Sequence, residues 1–398
     1  MHTEILLALS LLLLIGYIFD ILSPKLKIPY SIWLFLFGFL LKILALKTGF
    51  EIPEIKNYLI PLGTIALILI VLEAALELEL KKEKKVLLFK SFFVALISIV
   101  SLSFAIAYLL PYFSSKKLPF KILLINALPL AVISSAVAIP ASKFLEEKNK
   151  EFVIYESSLS DILGIILFNI LLLVPQFNIF TILSTFFSVG LVILISILIT
   201  IFLAWIIGTI YHDVKFIPIL LVLIFLYTLS KYLHLPGLII IFIFGLTLRN
   251  ILDLKIFQRF HPEVIKGELC NFDFIVKEFT FLAKSLFFLL FGFFVDPPLL
   301  LNLEVILFSI FICGLIFLFR GIILFIFRNL SFSLLLIAPR GLITILLWIS
   351  IPQEIRHPLI NEAVIVFLIS FTMIFMILGI LKGHPERVAL QKGPVCKL

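Results

Sequence analysis

Residues 155 to 166 read YESSLSDILGII, two carboxylates and three serines inside a stretch otherwise long and apolar enough to be a membrane-spanning helix. An ionisable side chain at mid-bilayer costs about 2.5–3.5 kcal/mol on insertion scales, so each is expected to be paired or to have a task. Asp161 falls near the middle of its span. Ser157 lies four residues before it, Gly164 three after, and Ser160 beside it, which makes a narrow helical face rich in oxygen. Carboxylate, hydroxyl and carbonyl oxygens are hard ligands that suit Na⁺. Burial disfavours the bare carboxylate, so Asp161 is expected to hold a cation or a proton, not both at once.

Three other charges sit at bilayer depth. Glu156 lies about 140° around the helix from Asp161, so the two carboxylates are not expected to share one ion. Arg340 is always charged and must find an anion, and a bridge to Glu156 would satisfy both. Lys284, in FLAKSLFFLLFG, either snorkels or approaches Asp161 as a counterion. Glu73, toward the end of its span, is expected at the interface or capped by Lys81.

The elements that must position these groups follow from composition. The chain has 398 residues, 63% hydrophobic and 14% charged, which marks a polytopic membrane protein. Polar punctuation divides it into about thirteen helices, near 3–22, 30–47, 57–78, 87–112, 120–142, 152–174, 179–211, 216–233, 235–249, 272–295, 299–328, 331–351 and 362–382. The first apolar run lacks a basic leader and a cleavage site and is expected to be a retained span. With the N-terminus outside, the cytoplasmic loops and C-terminal tail collect about nineteen Lys/Arg against about seven outside, SSKKLPFK being the main outer exception. This places the basic charge at the inner leaflet and makes nucleic acid an unsuitable partner. Cys270, Cys313 and Cys396 are odd in number and scattered, so neither a disulfide framework nor a zinc site is expected. No cofactor is implied. An intramembrane enzyme is disfavoured, because no paired metal motif or His-based nucleophile system appears at bilayer depth.

IPYSIWLFLFGFLLK at 28–42 aligns without a gap with LPGLIIIFIFGLTLR at 235–249, matching Pro29 to Pro236, Phe35 to Phe242, Phe37 to Phe244, Gly38 to Gly245 and Lys42 to Arg249. These are the second and ninth spans. An odd difference in span number makes the copies cross the bilayer in opposite directions, the pattern of an inverted repeat. The same offset pairs the fifth span with the twelfth. Both are interrupted near mid-membrane, by AVISSAVAIPAS and IAPRGLITI, and unwound backbone there would offer carbonyls and half-helix ends to an ion.

In this order the segments resemble the monovalent cation/proton antiporter superfamily, in particular its NhaP-like sodium/proton exchanger branch, over about residues 10 to 380. YESSLSD resembles that branch's E-S-L-L-N-D signature, and LEAALELELKK its F-E-x-A-L-x-L-x-L segment. IPYSIWLFLFG, FLAKSLFFLLFG and APRGLITILLW resemble its early Pro-to-Gly, tenth-span and R-G-containing helices. The resemblance implies an all-α fold of the NhaA type with an inverted repeat and two interrupted, crossing helices. It divides the single transmembrane domain into a dimerisation part (about 1–80 and 216–295), a core transport part (about 87–174 and 299–382) and a linker helix (about 179–211). It also implies elevator-like alternating access, a homodimer, an ion carried by Asp161, and a structural pair of Glu156 with Arg340. Two positions depart from the branch. Where relatives carry T-D-P this chain reads SSAVAIP, and Ser160 replaces the Asn before the acid.

The sequence thus predicts an antiporter exchanging Na⁺, Li⁺ or K⁺ for H⁺ across the cytoplasmic membrane. Asp161 would bind the ion, with Ser157, Ser160, Ser134, Ser135 and Ala136 completing the site and Lys284 as a possible counterion. A non-transporting sensor or scaffold of the same fold is the alternative, motivated by the missing T-D-P.

Overall fold

The computed structural model describes residues 2–26, 30–48, 56–78, 84–113, 118–142, 144–173, 187, 190–203, 216–233, 237–250 and 262–382. Within them the chain is helical, with no strand. In order come α1 (His2–Leu26), α2 (Tyr30–Thr48), α3 (Lys56–Glu77), α4 (Lys85–Phe113), α5 (Phe120–Ala131), α6 (Ser135–Ser142) and α7 (Glu147–Leu173). Then follow α8 (Gly190–Leu203), α9 (Phe216–Tyr232), α10 (Gly237–Arg249), α11 (Pro262–Phe294) and α12 (Leu303–Ile326). The last are α13 (Phe332–Leu336), α14 (Leu342–Ile349) and α15 (Glu362–Lys382).

Counting α5–α6 and α13–α14 as two interrupted spans leaves thirteen, as the polar punctuation predicts. Six of the described helical segments are long and apolar enough by themselves to cross a bilayer. The largest boundary difference is in α11, which starts ten residues before the predicted 272. Its first turns, PEVIKGELCN, are too polar to mark a membrane span yet continue the same helix. Within the predicted seventh span, the described helix covers Gly190–Leu203.

The repeat appears as exchanged packing. α2 lies on α11 and α10 lies on α3, the relation expected if spans two and nine, and three and ten, are copies of each other. In each pair an aligned glycine makes the close approach. A Cβ on Gly38 would fall 2.1 Å from the Leu289 carbonyl oxygen, and one on Gly245 would fall 2.7 Å from Cβ of Ala75. The helix ends are fastened alike. Lys42 pairs with Asp296 just past the end of α11, and the Asn250 side chain donates to the Leu78 carbonyl just past α3 at 3.0 Å. The second half of the repeat matches as well, since α4 packs on α7 and α12 on α15. Pro29 and Pro236 lie outside the described residues.

Between α14 and α15 a short polar loop seals one end of the bundle. Trp348 Nε1 donates to the Ile360 carbonyl at 2.7 Å, and the Arg356 guanidinium lies 4.5 Å from the Trp348 ring centroid while donating to the Ile349 and Ile351 carbonyls. Those carbonyls are at the end of α14, where intrahelical donors run out. Asn126 of α5 bonds the loop twice, donating to the Ile355 carbonyl and accepting from the His357 N–H. Cys313 is a buried free thiol. Cys270, against the sequence expectation, is in a disulfide.

Candidate functional site

The two interruptions cross. α5 ends at Ala131, two residues after Pro129, and the chain runs extended through Val132 to Ser134 before α6 begins. α13 ends at Leu336, and Ile337 to Gly341, carrying Pro339 and Gly341, separate it from α14. The Ser134 N–H donates to the Pro339 carbonyl at 2.9 Å, tying one break to the other. Gly341 permits this approach: a Cβ there would lie 2.8 Å from Ser134 Oγ.

Unwinding a helix inside a protein strands its backbone groups, and each must find a partner. α7 supplies two of them. Ser160 Oγ accepts from the Ile133 N–H at 2.9 Å, and Asp161 Oδ2 accepts from the Ser135 N–H at 3.0 Å and from the Ser135 hydroxyl. Gly164, one turn on, lets α7 close onto the break, since a Cβ there would meet Val132 Cγ2 at 2.4 Å. The carboxylate therefore sits at the amino end of α6, where the helix dipole favours negative charge. The serine-rich stretch is explained in part by this backbone, which needs acceptors at fixed heights along α7.

Arg340 answers the opposite end. Its Nε donates to the Leu130 carbonyl at 2.9 Å, its Nη2 to Ala131 at 3.2 Å and its Nη1 to Ala338 at 2.8 Å. Leu130 and Ala131 are the last residues of α5, so a guanidinium 2% exposed neutralises the negative end of the broken helix. This corrects the expected Glu156–Arg340 bridge. Glu156 is instead bound by Arg320 of α12, through Nη1 to Oε1 at 2.7 Å and Nη2 to Oε2 at 3.1 Å, and Arg320 Nε also donates to the Leu334 carbonyl. Both side chains are buried. The physical reason is the fork. Three carbonyls already occupy Arg340, whereas Arg320 offers Glu156 two parallel donors. Arg320 escaped the sequence reading, although a charge inside an apolar span was the signal.

Lys284 likewise has its own partner. Its Nζ donates to Glu73 Oε2 at 2.7 Å, tying α11 to α3, so Asp161 is not its hydrogen-bonded partner; Lys81, the partner expected for Glu73, lies outside the described residues. Ser157 donates to the Val153 carbonyl of its own helix at 2.7 Å, which keeps both lone pairs of its hydroxyl open. Ala136 sits half-buried in the first turn of α6. Of the predicted residues, Ser134, Ser135, Ser160, Asp161 and Arg340 therefore meet at the crossing, while Glu156 and Lys284 belong to separate ion pairs.

Asp161 Oδ1, Ser134 Oγ, Ser158 Oγ and Thr344 Oγ1 are four of the buried side-chain polar atoms that lack a hydrogen-bond partner among the described residues. Ser158 and Thr344 were not candidates from sequence. Ser158 was legible, standing three residues before Asp161 on its face of α7. Thr344, in the first turn of α14, had no such neighbour.

The sequence profile described as "Sodium/hydrogen exchanger, transmembrane" matches residues 9–382. The chain belongs to the sodium/hydrogen exchanger family. It is thus a multi-pass membrane transporter, not an enzyme, in a family whose substrates are monovalent cations and protons. A solved structure of the sodium proton antiporter MjNhaP1 from Methanocaldococcus jannaschii at pH 8 is similar, with a TM-score of 0.69 at 20% identity over 96% of both chains. An electron-microscopy map of MjNhaP1 gives 0.66 at 20% identity over 95% of this chain and 94% of that one. At such identity the likeness concerns the fold of this exchanger. A sequence comparison with curated proteins finds no match.

Proposed function

We propose that this exchanger is a secondary active antiporter that trades Na⁺, Li⁺ or K⁺ for H⁺ by alternating access, the two ions competing for Asp161. One observation carries the reading. Asp161 is 1% exposed, with Oδ2 fixed by Ser135 at the start of α6 and Oδ1 left without a protein partner among the described residues. A buried carboxylate in that state favours a proton or a metal ion on the open oxygen. The free oxygens of Ser134 and Ser157, with the Ser160 hydroxyl and the Ala136 carbonyl, are the proposed additional ligands. Their hardness suits an alkali cation.

In this reading the parts carrying the site (about 87–174 and 299–382) move against a dimerising scaffold (about 1–80 and 216–295), linked by 179–211, in a homodimer of the cytoplasmic membrane. Exchange follows if only the loaded or protonated site crosses, because the bare carboxylate pays the burial cost alone. The test is proton flux in proteoliposomes driven by Na⁺, Li⁺ or K⁺ gradients. Cation-dependent flux abolished by Asp161→Asn supports the antiporter. Absence of cation-dependent flux from the unmodified chain favours the sensor or scaffold, and cation-dependent flux indifferent to Asp161→Asn would mean that exchange does not run through Asp161.

A further inference from the structure

A cavity of about 300 Å³ lies between the α2–α11 pair and the α14–α15 pair, lined by neither Asp161 nor any member of the ion pairs described above. We propose that this cavity is a binding slot for one acyl chain of a membrane phospholipid.

Its shape comes first. α15 contributes a single stripe from Val366 through Ile369 and Met373 to Ile377, three turns or about 16 Å at 1.5 Å per residue. Drawn out over that length, the cavity is an elongated slot. The facing wall is equally apolar, with Phe35 against Phe291, their ring centroids 5.9 Å apart.

Its chemistry excludes the other small occupants. Among the described residues, the side-chain hydroxyls along the lining are those of Ser31 and Ser370. A buried water needs about two to four polar partners, and a lipid headgroup or an ion needs more, so neither is held here. Hydrocarbon asks for none of these.

Its position supplies the occupant. The slot is continuous with the surface that a multi-pass protein turns to lipid: Leu36 and Ile374 both line it and are 49% and 54% exposed. Apolar side chains at bilayer depth meet acyl chains as their solvent, and a dry groove open to them gains dispersion contacts on both walls when a chain enters. The bound chain then lies between the two helix pairs.

The test uses the full-length protein in phosphatidylcholine and phosphatidylglycerol vesicles doped with a phospholipid bearing a diazirine midway along one acyl chain. After illumination, adducts are mapped by peptide mass spectrometry. Enrichment on Val366–Ile377 and on Phe35–Leu36, above more exposed positions such as Phe225 and Leu307, is expected. The same lipid with its diazirine in the headgroup is expected to show no such enrichment. Met373→Phe fills the slot from inside and should bring the adducts down to the level of the general surface. Ile374→Trp, at an exposed position where folding is undisturbed, should do the same by covering the mouth. Adducts spread evenly over the lipid-facing surface, equal labelling from the headgroup probe, or enrichment that survives Ile374→Trp would each overturn the proposal.

Discussion

Glu156 and Arg320 show what a buried charge demands of its neighbours. Removing one partner strands the other in a low-dielectric interior, at roughly 3–5 kcal/mol, whereas removing both together is far less costly. Glu156→Gln and Arg320→Gln are therefore each expected to lower the unfolding temperature in detergent sharply, and the double variant to recover most of the loss. Glu156→Gln with Arg340→Gln should show no recovery, because Arg340 is bonded to carbonyls of the interrupted helices and not to Glu156. Recovery in that second pair and none in the first would reverse the assignment. Sequence spacing cannot choose between the two arginines. It orders residues along one helix, and the choice is made across three, by how many donors each guanidinium has already spent.

At the scale of the element, the breaks themselves were legible and their closure was not. Pro129 just before the first break, and Pro339 with Gly341 in the second, mark where the helices stop, and the matched positions in the two halves point to a crossing. Ser160 as the acceptor for the Ile133 N–H, and Arg340 as the cap of α5, depend on the height at which α7 and the second break pass the first. Gly164 sets that height. Gly164→Ala should push α7 off Val132, lower thermal stability and slow cation-dependent proton flux, while Val132→Ala in the same chain makes room and restores both. A failure of Val132→Ala to rescue would place the importance of Gly164 elsewhere than in this contact.

The whole molecule is one motif used twice with opposite sense. Toward the matched helix ends, Lys42 pairs with Asp296 and the Asn250 side chain donates to the Leu78 carbonyl. Opposite sense also fixes which loops share a side of the membrane. The segment before α4 and the loop between α14 and α15 are separated by an odd number of crossings, so they face opposite compartments whichever way the chain is inserted. The Lys/Arg asymmetry proposes the direction: Lys84 is expected to face the cytoplasm and Glu354 the exterior. Single Lys84→Cys and Glu354→Cys variants, treated with a membrane-impermeant maleimide, should therefore label in complementary preparations. Glu354→Cys should react in right-side-out vesicles and Lys84→Cys in inverted ones, each above the labelling of the unmodified chain. Both reacting from the same side would break the inverted repeat, and both reacting from the reversed sides would keep the repeat while overturning the charge argument alone.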